Sequence, residues 1–252
     1  MVEGATAVTS FSAPNAAAAL LEARRSRTPI PLASPGPASQ AEAFAVQDAV
    51  AAGLGPAAAW KVGGGGTAAP IAATLVRPSP CCWPAAEFLR IGIEAEIAFR
   101  IGRDLPGPDA PGPDQVRDAI ASIHAAIEIV DSRFDTWPVP DPLWALADNQ
   151  NNGGFVYEPT GRPWRGVPLE RAHVTLSVDG CDVVAGEGRN PGGDPFRLLV
   201  WLAGHLAGRA GGLKAGTFVT TGSLTGITFV DPGAAVAVDI AGIGRVELTV
   251  PG

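Results

Sequence analysis

Cysteine, aromatic side chains and clustered positive charge are all scarce in this 252-residue sequence. The three cysteines, Cys81, Cys82 and Cys181, are odd in number and form no C-x-x-C pair. A disulfide framework is therefore not expected, and a reducing cytoplasm is. Lys and Arg number 18 against 25 Asp and Glu, a formal net charge of −7 with no basic block. Nucleic acid is not an expected partner, because that binding rests mainly on Lys and Arg neutralising phosphates. No apolar run is long enough to span a bilayer, so no membrane partner is expected. The opening MVEGATAVTSFSAPN has neither a basic n-region nor an apolar h-region, and no secretory signal is expected there. Catalytic signatures are missing too. There is no G-x-S-x-G, no G-K-[ST] after the glycine run, and no G-x-G-x-x-G after a strand. Serine hydrolysis, P-loop phosphate binding and a dinucleotide fold are each disfavoured. His and Cys at zinc spacing are absent as well.

What is abundant is glycine (32), proline (24) and an apolar share of 46%. That composition predicts short elements joined by tight turns around an ample core. A first helix is expected over 15–27, with Asn15 as N-cap. A second begins at Ser39, with Ser39 and Glu42 in capping-box spacing and Gly53 at its end. WKVGGGGTAAP reads as loop after a short apolar start. RPSPCCWPAAEF is proline-broken and predicts only short strands or turns. GIEAEIAFRI (92–101) alternates as a strand. Asp114 is expected to cap a helix reaching about Ala126, with Val116, Ile120 and Ile123 on one stripe. IEIVDSRF then alternates as a strand. Residues 135–153 are long, polar and proline-rich, a pattern often functional. VTLSVDGCDVVAG predicts a hairpin turning at Asp179-Gly180. DPFRLLVWLAGHLAG predicts a helix with Asp194 at the N-cap and Pro195 at N1. TFVTTG, AAVAVDI and GRVELTV are three further strands.

Glu94 and Glu96, two apart in a strand, share one face. Ile93, Ala95, Ile97, Phe99 and Ile101 share the other. On a one-sided sheet such carboxylates are ordinarily a solvated face. Glu128, between Ile127 and Ile129, repeats the pattern. If the two strands are neighbours, three carboxylates converge and repel, which a hard cation bound by oxygen ligands relieves.

Five stretches carry a resemblance: WKVG (60–63), GIEAEIAFRIGRDLP (92–106), AIEIVDSRF (126–134), ADNQNNGGFV (147–156) and LKAGTFVTTGSLTGITFVDPG (213–233). In this order they resemble the fumarylacetoacetate hydrolase superfamily, in its 2-keto-4-pentenoate hydratase and 4-oxalocrotonate decarboxylase branch. The resemblance implies an α+β fold: a mixed β-sandwich or roll core of the family's C-terminal type with a small helical N-terminal part. It divides the chain into a helical segment, 1–60, packed on a β-rich metal-binding catalytic domain, 61–252. It implies Mg²⁺ or Mn²⁺ on Glu94, Glu96 and Glu128. Asp131 is a lesser candidate, facing the other way. Lys61 matches the position of the branch's active-site lysine. Asn149, Gln150, Ser223 and Thr225 are the expected donors to a substrate carboxylate.

The implied substrate is a small 2-oxo or 2-hydroxy acid, and the implied reaction is hydration of a 2-hydroxy-2,4-dienoate in aromatic catabolism. Decarboxylation of an oxalocrotonate-like diacid, or C–C hydrolysis of an acylpyruvate, would use the same site. A basic residue near the substrate tail, Arg77 or Arg133, would favour a diacid. A non-catalytic 2-oxo-acid-binding protein is a further alternative. Close hydratases carry a longer segment after the lysine, with an acidic residue that handles protons. Here Gly63–Gly66 follows, as a lid or a close backbone approach, and Glu87 is the segment's one carboxylate. His124 (in the expected helix), His173 and His205 are expected to be structural, and Trp137, Trp144 and Trp201 to serve packing or an interface. The resemblance also implies a homo-oligomer, at least a dimer.

Overall fold

The computed structural model describes residues 10–107, 109–209 and 211–252. The first nine residues, where no secretory signal is expected, lie outside the described residues, as do Pro108 and Ala210. The helices are α1 (Ala13–Ser26), α2 (Gln40–Leu54), α3 (Pro113–Ala119), α4 (Pro142–Ala147) and α5 (Pro195–Ala207). The strands up to mid-chain are β1 (Ala57–Gly63), β2 (Thr67–Ala72), β3 (Val76–Pro78), β4 (Cys81–Cys82), β5 (Gly92–Ile101), β6 (Leu105–Pro106), β7 (Ile120–Val130) and β8 (Asn152–Tyr157). The rest are β9 (His173–Val178), β10 (Cys181–Glu187), β11 (Gly212–Leu213), β12 (Phe218–Ser223), β13 (Thr228–Phe229), β14 (Ala235–Ile240) and β15 (Gly244–Thr249).

The main sheet has eight strands in the order β2-β1-β12-β5-β7-β8-β3, with β13 also on β5. A five-stranded sheet, β10-β9-β14-β15-β4, covers one face of it. Ile93, Ala95, Ile97, Phe99 and Ile101 of β5 meet Leu176, Val238, Val246 and Leu248 of the smaller sheet in one apolar cluster. Leu199, Leu202 and Leu206 of α5 close that cluster from the side. Each fully buried side chain of this size contributes about 1.5–3 kcal/mol relative to exposure. A second cluster joins α1 and α2, through Ala17, Leu20, Val46 and Val50, to Phe134 and to Trp144 and Leu146 of α4. A third, of Ala59, Ile71, Ala98, Ala126, Phe155 and Phe218, fills the other face of the main sheet. Both faces of β5 are therefore covered, and Glu96 and Glu128 are buried rather than solvated.

Strand 92–101, the Asp179-Gly180 hairpin and the Asp194 cap agree with the sequence, the last with Asp194 accepting from Phe196 N–H. Four boundaries differ. Ser12, not Asn15, stands at the N-cap of α1, because Pro14 suits the first turn. α2 runs through Gly53 and stops at Gly55, whose φ of 99° needs no Cβ. The helix expected to reach Ala126 ends at Ala119, and its N-cap is Gly112 rather than Asp114. Ile120 and Ile123 join β7 instead, so His124 is a strand residue. The gain is a ladder to β5 from Gly92–Val130 to Ile101–Ile120, and tertiary pairing wins over the helical stripe. Finally, the glycine run is no open loop: Gly64–Gly66 form the turn between β1 and β2, which pair antiparallel.

Candidate metal centre and active site

β5 and β7 place Glu94 opposite Glu128, and Glu96 one pleat further on. One carboxylate oxygen from each of the three lies within 4.8 Å of the others. β12 flanks β5 on its other side, and its ladder breaks between Thr220 and Ser223. This irregularity re-aims the backbone as a bulge does. Gly222, at φ 98°, sends its N–H to Glu96 Oε2 at 3.0 Å, and the Thr220 hydroxyl donates to the same oxygen. β1 runs parallel to β12 with Lys61 beside Thr220. The Lys61 ammonium donates to Glu128 Oε1 and, at 3.1 Å, to the Gln150 carbonyl. Asn152 Nδ2 donates to Glu128 Oε1 at 3.0 Å.

Electrostatics follow from this crowding. Burial, reinforced by Glu128, pushes Glu94 up to about 7. Burial, with Glu128 and Glu94, pushes Glu96 up to about 8. Burial alone would lower Lys61, but the three carboxylates outweigh it and hold the ammonium above the usual lysine range. Glu128 Oε2 is buried with no hydrogen-bond partner. A lone carboxylate oxygen beside two carboxylates that resist ionising is a donor set suited to a hard divalent cation, which takes oxygen ligands. The cluster can bind a divalent metal.

Beside the cluster opens a cavity of about 450 Å³. Lys61, Glu94, Glu96, Gln150, Asn151 and Ser223 make its polar wall. Val62, Pro142, Ala145 and Leu146 make an apolar one, and Gly63 and Gly64 form part of the rim. Of the four expected substrate donors, Gln150 and Ser223 reach this lining. Asn149 is buried behind it with its Oδ1 unpartnered. Thr225 is turned away: its hydroxyl accepts from Ala95 N–H at 3.2 Å and donates to Gly226 O.

Asp131 is not with the cluster, as its orientation implied. Its carboxylate accepts from Leu89 N–H and Arg90 N–H. Neither arginine considered for a diacid tail lines the cavity. Arg77 lies over Trp83 and pairs with Glu87, and Trp83 Nε1 also donates to Glu87. Arg133 is fully buried against Asp148 and Asp131. His124 bonds Glu158 O and Ser122, His205 stacks on Trp201, Trp137 packs edge-on to Phe229, and Trp144 sits in the helical cluster. Five polar site residues were not singled out from the sequence: Thr67, Asn151, Asn152, Asn190 and Thr220. Asn151, Asn152 and Thr220 lie inside the motifs that carry the resemblance, but only the fold shows which polar side chains of those runs point inward.

The profile of the fumarylacetoacetate (FAA) hydrolase C-terminal family matches residues 47–251. The chain belongs to this family. It is 34% identical over 155 residues to the 2-keto-4-pentenoate hydratase of Paraburkholderia xenovorans (strain LB400), covering 62% of this chain and 57% of that protein. It is also 34% identical over 160 residues to the TodF product hydratase of Pseudomonas putida (strain F1), covering 64% and 59%. The matched stretch thus spans under two thirds of these relatives' length. In fold, the 4-oxalocrotonate decarboxylase of Pseudomonas putida G7, solved with magnesium and adipate, superposes with a TM-score of 0.84 at 24% identity, over 96% of this chain and 99% of that one. The α+β core of the family type and its helical N-terminal part are shared across that length.

Proposed function

We propose that this protein is a metal-dependent hydro-lyase that adds water to a 2-hydroxy-2,4-dienoate of 2-keto-4-pentenoate type, giving a 4-hydroxy-2-oxo acid. The observation that carries the reading is one cavity lined by Glu94, Glu96 and Lys61, with Glu128 buried directly behind them on Lys61, and with no other Lys or Arg among the described lining residues. A monocarboxylate head with an uncharged tail fits that lining. The diacid of a decarboxylase would bury a second charge without a partner, at a large desolvation cost. The hydratase relatives support the same reaction class.

In this reading Glu94, Glu96 and Glu128 hold Mg²⁺ (or Mn²⁺). The ion, when bound, supplies Lewis-acid stabilisation of negative charge on the substrate's C2 oxygen. Lys61 is the catalytic residue. Held as an ammonium, it is placed to orient the substrate and to deliver a proton. Gln150 and Ser223 donate to the substrate carboxylate, while Asn149 and Thr225 fix the loops behind them. Val62, Pro142 and Leu146 seat the tail and keep water off its apolar side. Glu87, committed to Arg77 and Trp83, takes no part in proton transfer. The division at residue 60 is kept as part of this reading, with α1 and α2 on its helical side and β1 (Ala57–Gly63) crossing it into the catalytic domain. Free Cys81, Cys82 and Cys181 suit a reducing cytoplasm. Exposed Ile227 and Phe229 suit assembly to at least a dimer, and a monomer mass by light scattering overturns that part.

The test is to mix the purified protein with 2-hydroxypenta-2,4-dienoate and Mg²⁺, beside an EDTA-treated control, and follow products by mass. A Mg²⁺-dependent product heavier by one water is expected. Unchanged substrate, together with carbon dioxide release from an oxalocrotonate-type diacid, would replace hydration by decarboxylation on the same site.

A further inference from the structure

Three consecutive non-glycine residues, Asn149, Gln150 and Asn151, hold left-handed backbone with φ of 49°, 52° and 58°. Each costs roughly 1–2 kcal/mol against the right-handed form. Such a turn persists only where its surroundings impose it. It matters to the site at two atoms: the Gln150 carbonyl accepts from Lys61, and Asn152, just after the turn, donates to Glu128 Oε1.

Two guanidinium groups hold the ends. Arg133 Nε bonds Asp148 Oδ1 at 2.7 Å, its Nη2 bonds the Asp148 carbonyl at 3.3 Å, and its Nη1 bonds the Asn152 carbonyl at 3.1 Å. The second group comes from the far end of the chain. Arg24 of α1 donates from Nη2 to the same Asn152 carbonyl at 2.8 Å, across 128 residues. Burial, with Arg133 close by, lowers Arg24 to about 9, so it still carries its charge at neutral pH. Arg24 lies outside the 47–251 span of the family profile.

We infer that Arg24 is a positioning residue for the metal centre: it fixes Asn152 so that the Asn152 amide orients Glu128 beside Lys61. This rests on Glu128 being a metal ligand, as proposed above. Outer partners of a ligand typically govern metal affinity by 10–100-fold. The direction discriminates as well. Removing a positive charge near a cation site, with no other effect, strengthens cation binding; losing the clamp weakens it.

The experiment titrates Mn²⁺ alone into the full chain, read by electron paramagnetic resonance, for wild type, Arg24→Met, Arg24→Lys, Asn152→Ala and the Arg24→Met/Asn152→Ala pair. The expectation is about a tenfold loss of Mn²⁺ affinity in Arg24→Met. Arg24→Lys, which keeps a donor and the charge, should recover most of it. Asn152→Ala should match Arg24→Met, and the pair should be no worse than either, since both act through one contact. Unchanged or tighter binding in Arg24→Met, or losses that add in the pair, overturns the inference while leaving the metal centre standing. Wild type that binds no Mn²⁺ overturns both. Should Arg24→Met fail to fold, Arg24→Leu, which likewise keeps neither donor nor charge, takes its place with the same expected outcomes.

Discussion

Glu94 and Glu128 face each other directly across the β5–β7 ladder, both turned toward Lys61 and away from the main apolar core. Like charges directly opposite in a sheet destabilise it. The apo protein answers by keeping protons on the cluster, with Glu94 at about 7 and Glu96 at about 8. The unfolded chain releases those protons near the ordinary carboxylate value. Between about pH 4.5 and 8 the folded apo state therefore binds more protons than the unfolded one, and these groups make stability fall as pH rises. A bound divalent cation removes the penalty. Mg²⁺ should thus raise Tm more at about pH 8 than at about pH 6, and Mg²⁺ affinity should climb with pH as protons are displaced. Thermal scans and calorimetric titration at the two pH values check this. A Mg²⁺-induced Tm shift independent of pH contradicts it.

Lys61→Met separates the two charges of the buried pair. Removing one partner of such a pair costs about 3–5 kcal/mol, because Glu128 is left buried without its cation. The variant should be destabilised when apo and largely rescued by Mg²⁺. It should bind the metal at least as tightly as wild type, while turnover falls by about 10²–10⁴, the usual worth of a positioned acid or base. Denaturant melts with and without Mg²⁺, alongside steady-state rates, give all three numbers. Full activity in this variant removes the catalytic role of Lys61.

How much of this was readable before folding depends on the kind of interaction. Strand 92–101 and the Asp179-Gly180 hairpin are set by period-2 alternation and by a turn that wants positive φ, both local. The carboxylate triad was readable because two alternating strands carried Glu on the face opposite their isoleucines. β7 was misread at its start, since Val116, Ile120 and Ile123 fit a helical stripe as well as they fit a strand; only pairing with β5 decides. Arg24 carried no signal at all. It stands in the run EARRSR, next to Arg25, which makes an ordinary exposed pair with Glu22. Helical phase around α1 turns one arginine inward and the other out, and the target carbonyl of Asn152 is supplied by the fold.

Gly63 tests the rim of the cavity. A Cβ there would come within 2.7 Å of Gln150 Nε2 and 2.8 Å of Thr67 Oγ1, the two atoms of one hydrogen bond. Both belong to side chains that can move, so Gly63→Ala should fold normally. The displaced Gln150 amide should then bind the substrate carboxylate less well. KM should rise about tenfold, equivalent to about 1.4 kcal/mol, with kcat changed less. An unaltered KM would remove Gln150 from the substrate contacts. Metal affinity, read separately, should stay at the wild-type level.

Arg133→Lys puts the clamp itself on trial at the level of stability. The Arg133 guanidinium serves Asp148, Asp131 and two backbone carbonyls from one rigid plane, with no exposed surface. A lysine ammonium is a compact charge with three donors and cannot span the same set of acceptors. Asp148, Asp131 or a carbonyl is left buried and unsatisfied, at about 1–3 kcal/mol for each such group, more where it is charged. Arg133→Lys should therefore lower the unfolding free energy by at least about 2 kcal/mol, despite conserving charge. Because the left-handed turn loses its anchor at both Asp148 and Asn152, the variant should also lose Mn²⁺ affinity together with stability, whereas Lys61→Met loses stability with its metal affinity kept. Urea unfolding paired with Mn²⁺ titration distinguishes them. Normal stability in Arg133→Lys would show that the turn holds its shape without the buried guanidinium.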